Sequence, residues 1–174
     1  MKQIACLVAV MMAVAGVIII ATSASGEADE GAAPNFGIAT MPAGYRDWRV
    51  ISVAHEAGSL NDLRAVLGND IAFAAARDGK LPYPDGAIIA RLAYSYVPSA
   101  ENNKAFGREQ SFVAGAPTNV QFMVKDSKKY AATGGWGFAQ FNDGKAVDDA
   151  LLKPCFGCHV PVKARDFVFT KYAP

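Results

Sequence analysis

Across residues 87–97 apolar and polar positions alternate. Ile88, Ala90, Leu92, Tyr94 and Tyr96 fall on one side of an extended chain, and Ile89, Arg91, Ala93 and Ser95 on the other. A period of two marks a strand with two different faces. Residues 119–124 predict another strand, with Val120, Phe122 and Val124 together, and residues 136–141 a third, set between Gly134-Gly135 and Asn142-Asp143-Gly144. Earlier, residues 45–55 read as a short helical entry running into a strand whose apolar part is Val50, Ile51, Val53 and Ala54. Residues 62–67 predict a strand ended by Gly68-Asn69-Asp70. Residues 71–77 are Ala-rich and followed by Asp78-Gly79, the pattern of a short helix with a glycine stop. Residues 81–86 form a turn cluster, residues 127–132 a short helix or turn, residues 148–153 a helical turn, and residues 167–172 a closing strand. The sum predicts an α+β fold, mainly β: an antiparallel sheet with short helices.

The pattern before this domain is different. Lys2 gives a positive start, residues 4–21 are almost unbroken apolar sequence, and residues 22–26 are small. Thr22-Ser23-Ala24 fits a small-x-small cleavage site, so residues 1–24 are expected to be a signal peptide and the protein periplasmic. The competing reading is an uncleaved membrane anchor, since a run of about 18 apolar residues is the lower limit for a span. The small residues that follow, without a positive flank, favour cleavage. Cys6 precedes most of the apolar run, which argues against a lipoprotein. Residues 25–42, rich in Ala and Gly and without a period, are expected to be a flexible linker, leaving one domain over residues 43–174.

Length and charge narrow the function classes. The chain has 174 residues and a formal net charge of +1, with no basic run and no acidic tail, so nothing points to a nucleic-acid surface. The chemistry is concentrated in Cys155-Phe156-Gly157-Cys158-His159, a C-x-x-C-H run. This spacing is the attachment signal for one haem c: Cys155 and Cys158 form thioethers to the two vinyl groups, and His159 is the proximal axial ligand of the iron. Three other readings compete. A zinc half-site needs a second ligand pair, and the rest of the chain offers only Cys6 and His55. A thioredoxin-like pair belongs early in a βαβ pattern. A plain Cys155–Cys158 disulfide gives no reason for His159 to follow. An exported chain with one cysteine pair left for haem is the coherent picture. The motif is C-terminal and follows strands. That excludes both the small helical cytochromes with an N-terminal motif and the four-helix cytochromes.

The chain resembles the cytochrome P-460 and cytochrome c′-beta family. The resemblance is carried by Val124-Lys125-Asp126-Ser127, Trp136-Gly137-Phe138, the C-terminal C-x-x-C-H, and Val168-Phe169-Thr170-Lys171-Tyr172, together with Pro84-Asp85-Gly86 before an alternating strand. It covers essentially residues 45–174. It implies a mainly β, α+β fold, a homodimer, one haem c per chain, and a five-coordinate iron with His159 below and an open or capped distal side. Cytochrome P-460 proteins cross-link a lysine nitrogen to a haem meso carbon, and the matching position here is Arg91. An arginine stays protonated and is a poor nucleophile, so the cross-link is expected to be absent. Arg91 then either hydrogen-bonds a distal ligand or pairs with a haem propionate or a carboxylate. Arg64 matches a family arginine near the distal face, against the alternative of an ordinary exposed arginine. Ala150 stands about where some members carry a distal carboxylate or small residue, with Asp149 beside it. Phe73, Tyr94, Phe122, Trp136 and Phe138 are candidates to wall the haem or to fill the core.

The residue inventory agrees with an open iron. A second strong ligand would have to be His55 or Met123, with Met41 in the linker. His55 reads as a strand-end histidine and Met123 as core, while lysine stays open. The expected function is therefore binding of NO or a similar small nitrogenous ligand. The enzymatic alternative is oxidation of hydroxylamine or reaction with peroxide, assisted by Arg64 or Arg91. The third reading is electron transfer to a periplasmic partner.

Overall fold

The computed structural model describes residues 38–173. The expected signal peptide and most of the expected linker lie outside the described residues. Six strands form one antiparallel sheet in sequential order: β1 (Arg49–Glu56), β2 (Asp62–Gly68), β3 (Ile88–Pro98), β4 (Phe112–Lys125), β5 (Trp136–Asn142) and β6 (Lys145–Ala146). Three short helices accompany it: α1 (Asp70–Arg77), α2 (Ala100–Phe106) and α3 (Asp149–His159). The fold is α+β and mainly β, as the alternation predicts.

The two-residue period of β3 separates two apolar layers. Leu67, Ala90, Leu92, Phe122, Ala139 and Phe141 pack on one face, where the entry segment covers them with Ile38, Met41, Tyr45 and Trp48. Tyr45 and Trp48 meet the Phe122 ring edge-on, with centroids 5.3 and 6.5 Å away. On the other face Ile51, Val66, Ile89 and Phe138 pack against Ala72 and Ala75 of α1, Leu152 of α3 and the loop residues Phe167 and Val168. Asn69 joins α1 to the sheet. Its side-chain oxygen accepts the N–H of Ala72 at the helix start and the N–H of Ile88 at the start of β3, at 2.9 and 3.0 Å.

Four features depart from the sequence expectation. The strand expected at 119–124 begins seven residues earlier, at Phe112, because its first half pairs with the end of β3 from Tyr94 to Pro98. The segment before it contains α2, which buries none of its residues and so carries no apolar period. It is set instead by its ends: the Ser99 hydroxyl accepts the N–H of Asn102 at 3.3 Å, and Gly107 closes it at φ 70°. The helical turn expected at 148–153 continues through the whole C-x-x-C-H run to His159, despite Pro154 inside it. Residues 167–172 are not a strand. Asp166 and Phe167 both take positive φ, 53° and 62°, and the Phe167 carbonyl is used by a side chain instead of a ladder.

Candidate haem site

On α3, Cys155, Cys158 and His159 stand at i, i+3 and i+4, which a 3.6-residue period brings to one face. Leu151 and Pro154 share it, and all five border a cavity of about 690 Å³ between α3, the C-terminal segment and the sheet. That size is within the ~300–1,000 Å³ of small-molecule and cofactor sites. Leu152, beside that face, is buried in the core instead of bordering the cavity.

His159 is held by contacts that decide its chemistry. Its Nδ1 lies 2.6 Å from the Phe167 carbonyl oxygen. A carbonyl only accepts, so Nδ1 carries the proton and Nε2 keeps its lone pair. Burial pushes the imidazole below its ordinary pKa, and the Phe167 hydrogen bond opposes this. The neutral ring, with one nitrogen free to ligate, is what a metal requires. Phe138 and Phe169 flank it with ring centroids 5.1 Å away on each side. Cys155 and Cys158 are both free thiols, Cys155 half-buried and Cys158 exposed. Burial, and then the neighbouring Cys158, push the Cys155 thiol up. Among the described residues no group of three or more His, Cys, Asp or Glu is placed to hold a metal ion, so the pair has no partners for a tetrahedral zinc.

The sheet wall of the cavity is ordered by register. Ile89, Met123 and Phe138 are consecutive cross-strand partners and give an apolar row. The next row is polar: Arg91, Gln121 and Gln140. Arg64, Ala54 and Glu56 extend the wall over β2 and β1. Both sequence-predicted arginines therefore reach the cavity, and neither is an exposed surface residue; their side chains are 15% and 18% exposed. What joins them is Asp62, which sequence reasoning missed. Its carboxylate accepts from Nε and Nη2 of Arg64 at 2.8 and 3.0 Å and from Nη2 of Arg91 at 2.5 Å. Arg91 Nη1 also donates to Gln121 at 2.6 Å and Asn119 at 3.2 Å. Its Nε–H is buried with no hydrogen-bond partner, a spare donor on a cavity-lining side chain. Burial, and then the Arg64 charge, push the Arg91 guanidinium below its ordinary value, with Asp62 pulling back.

The remaining candidates divide. Phe122 and Phe138 border the cavity; Phe73, Tyr94 and Trp136 do not. Ala150 and Asp149 are exposed and face away, and Leu151 takes the cavity position instead. Met123 lines the cavity beside Phe138. His55 does not line it: Ala54 and Glu56 point in, so the residue between them points out. Its ring stacks on Tyr96 at 3.9 Å and bonds Asn61 at 3.2 Å.

The donor set fits a haem. One nitrogen stands ready for iron, two thiols share its helix face, apolar side chains can cover a porphyrin, and Arg64, Arg91 and Lys171 offer cations for its carboxylates. A family model described as Cytochrome P460 matches residues 42–170. The chain belongs to the cytochrome P460 family. Membership makes it a haem c protein, and the cytochrome P460 match spans the whole sheet and the C-x-x-C-H helix. No curated protein matches the sequence.

Phe167 is the contact that orients His159, and the Gly134 turn presses on it. Gly134 sits at φ 67°, and a Cβ there would collide with the Phe167 ring. Gly134→Ala is expected to lower stability by at least ~1–2 kcal/mol, the cost of a left-handed non-glycine residue before any clash is added. Urea unfolding of the two proteins measures it; equal midpoints would refute the close packing.

Proposed function

We propose that this cytochrome P460 family member is a periplasmic mono-haem c protein that binds NO or a similar small nitrogenous ligand. Cys155 and Cys158 carry the thioethers, and Nε2 of His159 is the protein's ligand to iron. Held by these residues, the haem would supply an iron able to take an exogenous ligand. The observation that carries this reading is the ligand inventory of the cavity wall. His159 is its one histidine among the described residues, because His55 faces away. The other candidates are Met123, which stands in the Phe138 row beside the ring that packs on His159, and the exposed Lys171.

The chain's other residues have definite work in this reading. Ile89, Val66 and Phe138 exclude water from the pocket. Arg91 keeps a positive charge on the polar row of the wall, its terminal nitrogens held by Asp62 and Gln121. Those bonds, and the permanent charge of a guanidinium, leave Arg91 no nucleophilic nitrogen for a cross-link. Export through residues 1–24 belongs to the same proposal.

Absorption spectroscopy on the reduced protein tests it. The expected result is a high-spin five-coordinate spectrum that changes on NO addition, with an ordinary pyridine haemochrome after denaturation. A low-spin six-coordinate spectrum with no NO uptake would favour electron transfer instead. Sustained hydroxylamine oxidation with an added electron acceptor would favour the enzyme.

A further inference from the structure

Lys125 is a buried lysine, 5% exposed, that takes no part in the cavity wall. Its ammonium donates to both carboxylate oxygens of Asp166, at 2.7 and 2.9 Å, and to the Gly134 carbonyl at 3.1 Å, and stands 4.9 Å from the Trp136 ring. Asp166 is fixed from two further sides. Its carboxylate accepts the Tyr83 N–H at 2.8 Å, and its main-chain carbonyl accepts Nε1–H of Trp136 at 2.8 Å. All this converges on two consecutive non-glycine residues in the left-handed region, Asp166 at φ 53° and Phe167 at φ 62°. Such backbone persists only where the surroundings over-determine it. What it presents is the Phe167 carbonyl, the acceptor for Nδ1–H of His159.

We propose that the Lys125–Asp166 pair, with Trp136 beside it, is a positioning device for the His159 imidazole. The pair itself lies two steps from the ring, through Phe167. It fixes the carbonyl, the carbonyl fixes the Nδ1–H tautomer and the ring plane, and the strong acceptor makes Nε2 a more basic ligand. A buried ion pair between residues 41 positions apart is a costly way to hold a core together, since apolar side chains would fill the space as well. The need for one carbonyl at one angle gives it a reason. The proposal rests on the reading of His159 as the iron ligand.

Resonance Raman spectroscopy of the ferrous, haem-loaded full-length protein tests it through the iron–histidine stretching band. Lys125→Met is expected to lower the frequency of that band. At a fixed ambient potential it is also expected to raise the ferrous-to-ferric ratio by on the order of tenfold, as lost ligand basicity predicts. Trp136→Phe removes the indole N–H and keeps a smaller aromatic ring in its place; a smaller shift in the same direction is expected, and it decides the matter if Lys125→Met does not fold. A band unmoved in a folded variant with haem attached overturns the positioning role, even if that variant is less stable. A five-coordinate ferrous parent with no iron–histidine band overturns the His159 assignment and this proposal with it, whereas a six-coordinate parent overturns the open-iron reading on which the test depends.

Discussion

Replacing Cys155 and Cys158 together by serine is expected to abolish covalent haem attachment. The thiols stand at i and i+3 on the cavity face of α3, one step before the imidazole that meets the iron in the proposed site. A thioether needs sulfur, and a serine hydroxyl at the same place is a far weaker nucleophile. The cavity and His159 would still attract haem, but only reversibly. The measurement is haem retained by the polypeptide after denaturing electrophoresis: full for the parent, none for the double variant, and partial for either single variant. Retention in the double variant would sink the assignment of both cysteines.

Asp62→Asn is expected to destabilise the fold by about 3–5 kcal/mol, the usual result of removing one partner from a buried ion pair. The carboxylate is 5% exposed at its side chain and serves both Arg64 and Arg91. Asparagine has the same shape, yet it withdraws the charge and turns an amide N–H₂ toward guanidinium donors. Two cations on one wall would then repel, with only Glu56, 3.4 Å from Arg64 and half exposed, to offset them. Urea denaturation of parent and variant gives the difference directly. A change below about 1 kcal/mol would mean that water already screens the cluster as it screens a surface pair.

Residues whose role is set by a short stretch of chain were legible in the sequence. The faces of β3 follow from eleven consecutive residues, and the five of the C-x-x-C-H run single out the helix end that borders the cavity. Roles that depend on register were not. Asp62 and Arg91 share a face because β2 and β3 pair with Asp62 opposite Ser95 and Val66 opposite Arg91, the long Arg91 side chain spans the gap, and no local pattern announces that register. Lys125 and Asp166 meet through the tertiary fold alone. The first half of β4 was hidden for another reason: it is largely exposed and contains Gly115 and Pro117, so it has the composition of a loop. The opposite error occurred at residues 167–172, where β-branched and aromatic residues suggested a strand. There the side-chain preference was overridden by a main chain turned to serve His159.

The sequential order of the sheet leaves two open edges, and unpaired edges invite other chains to add strands. The two edges are blunted differently. β6 is two residues long and starts with a lysine, too short and too charged to template a partner. β1 is longer and exposes Val50 and Val53, but it is kinked by a bulge between Val50 and Ser52. Its main chain at Ile51 is already taken by the N–H of Ala173, at 2.9 Å. The C-terminal tail, having spent its own strand-forming residues around the imidazole, thus ends as a guard against edge-to-edge aggregation.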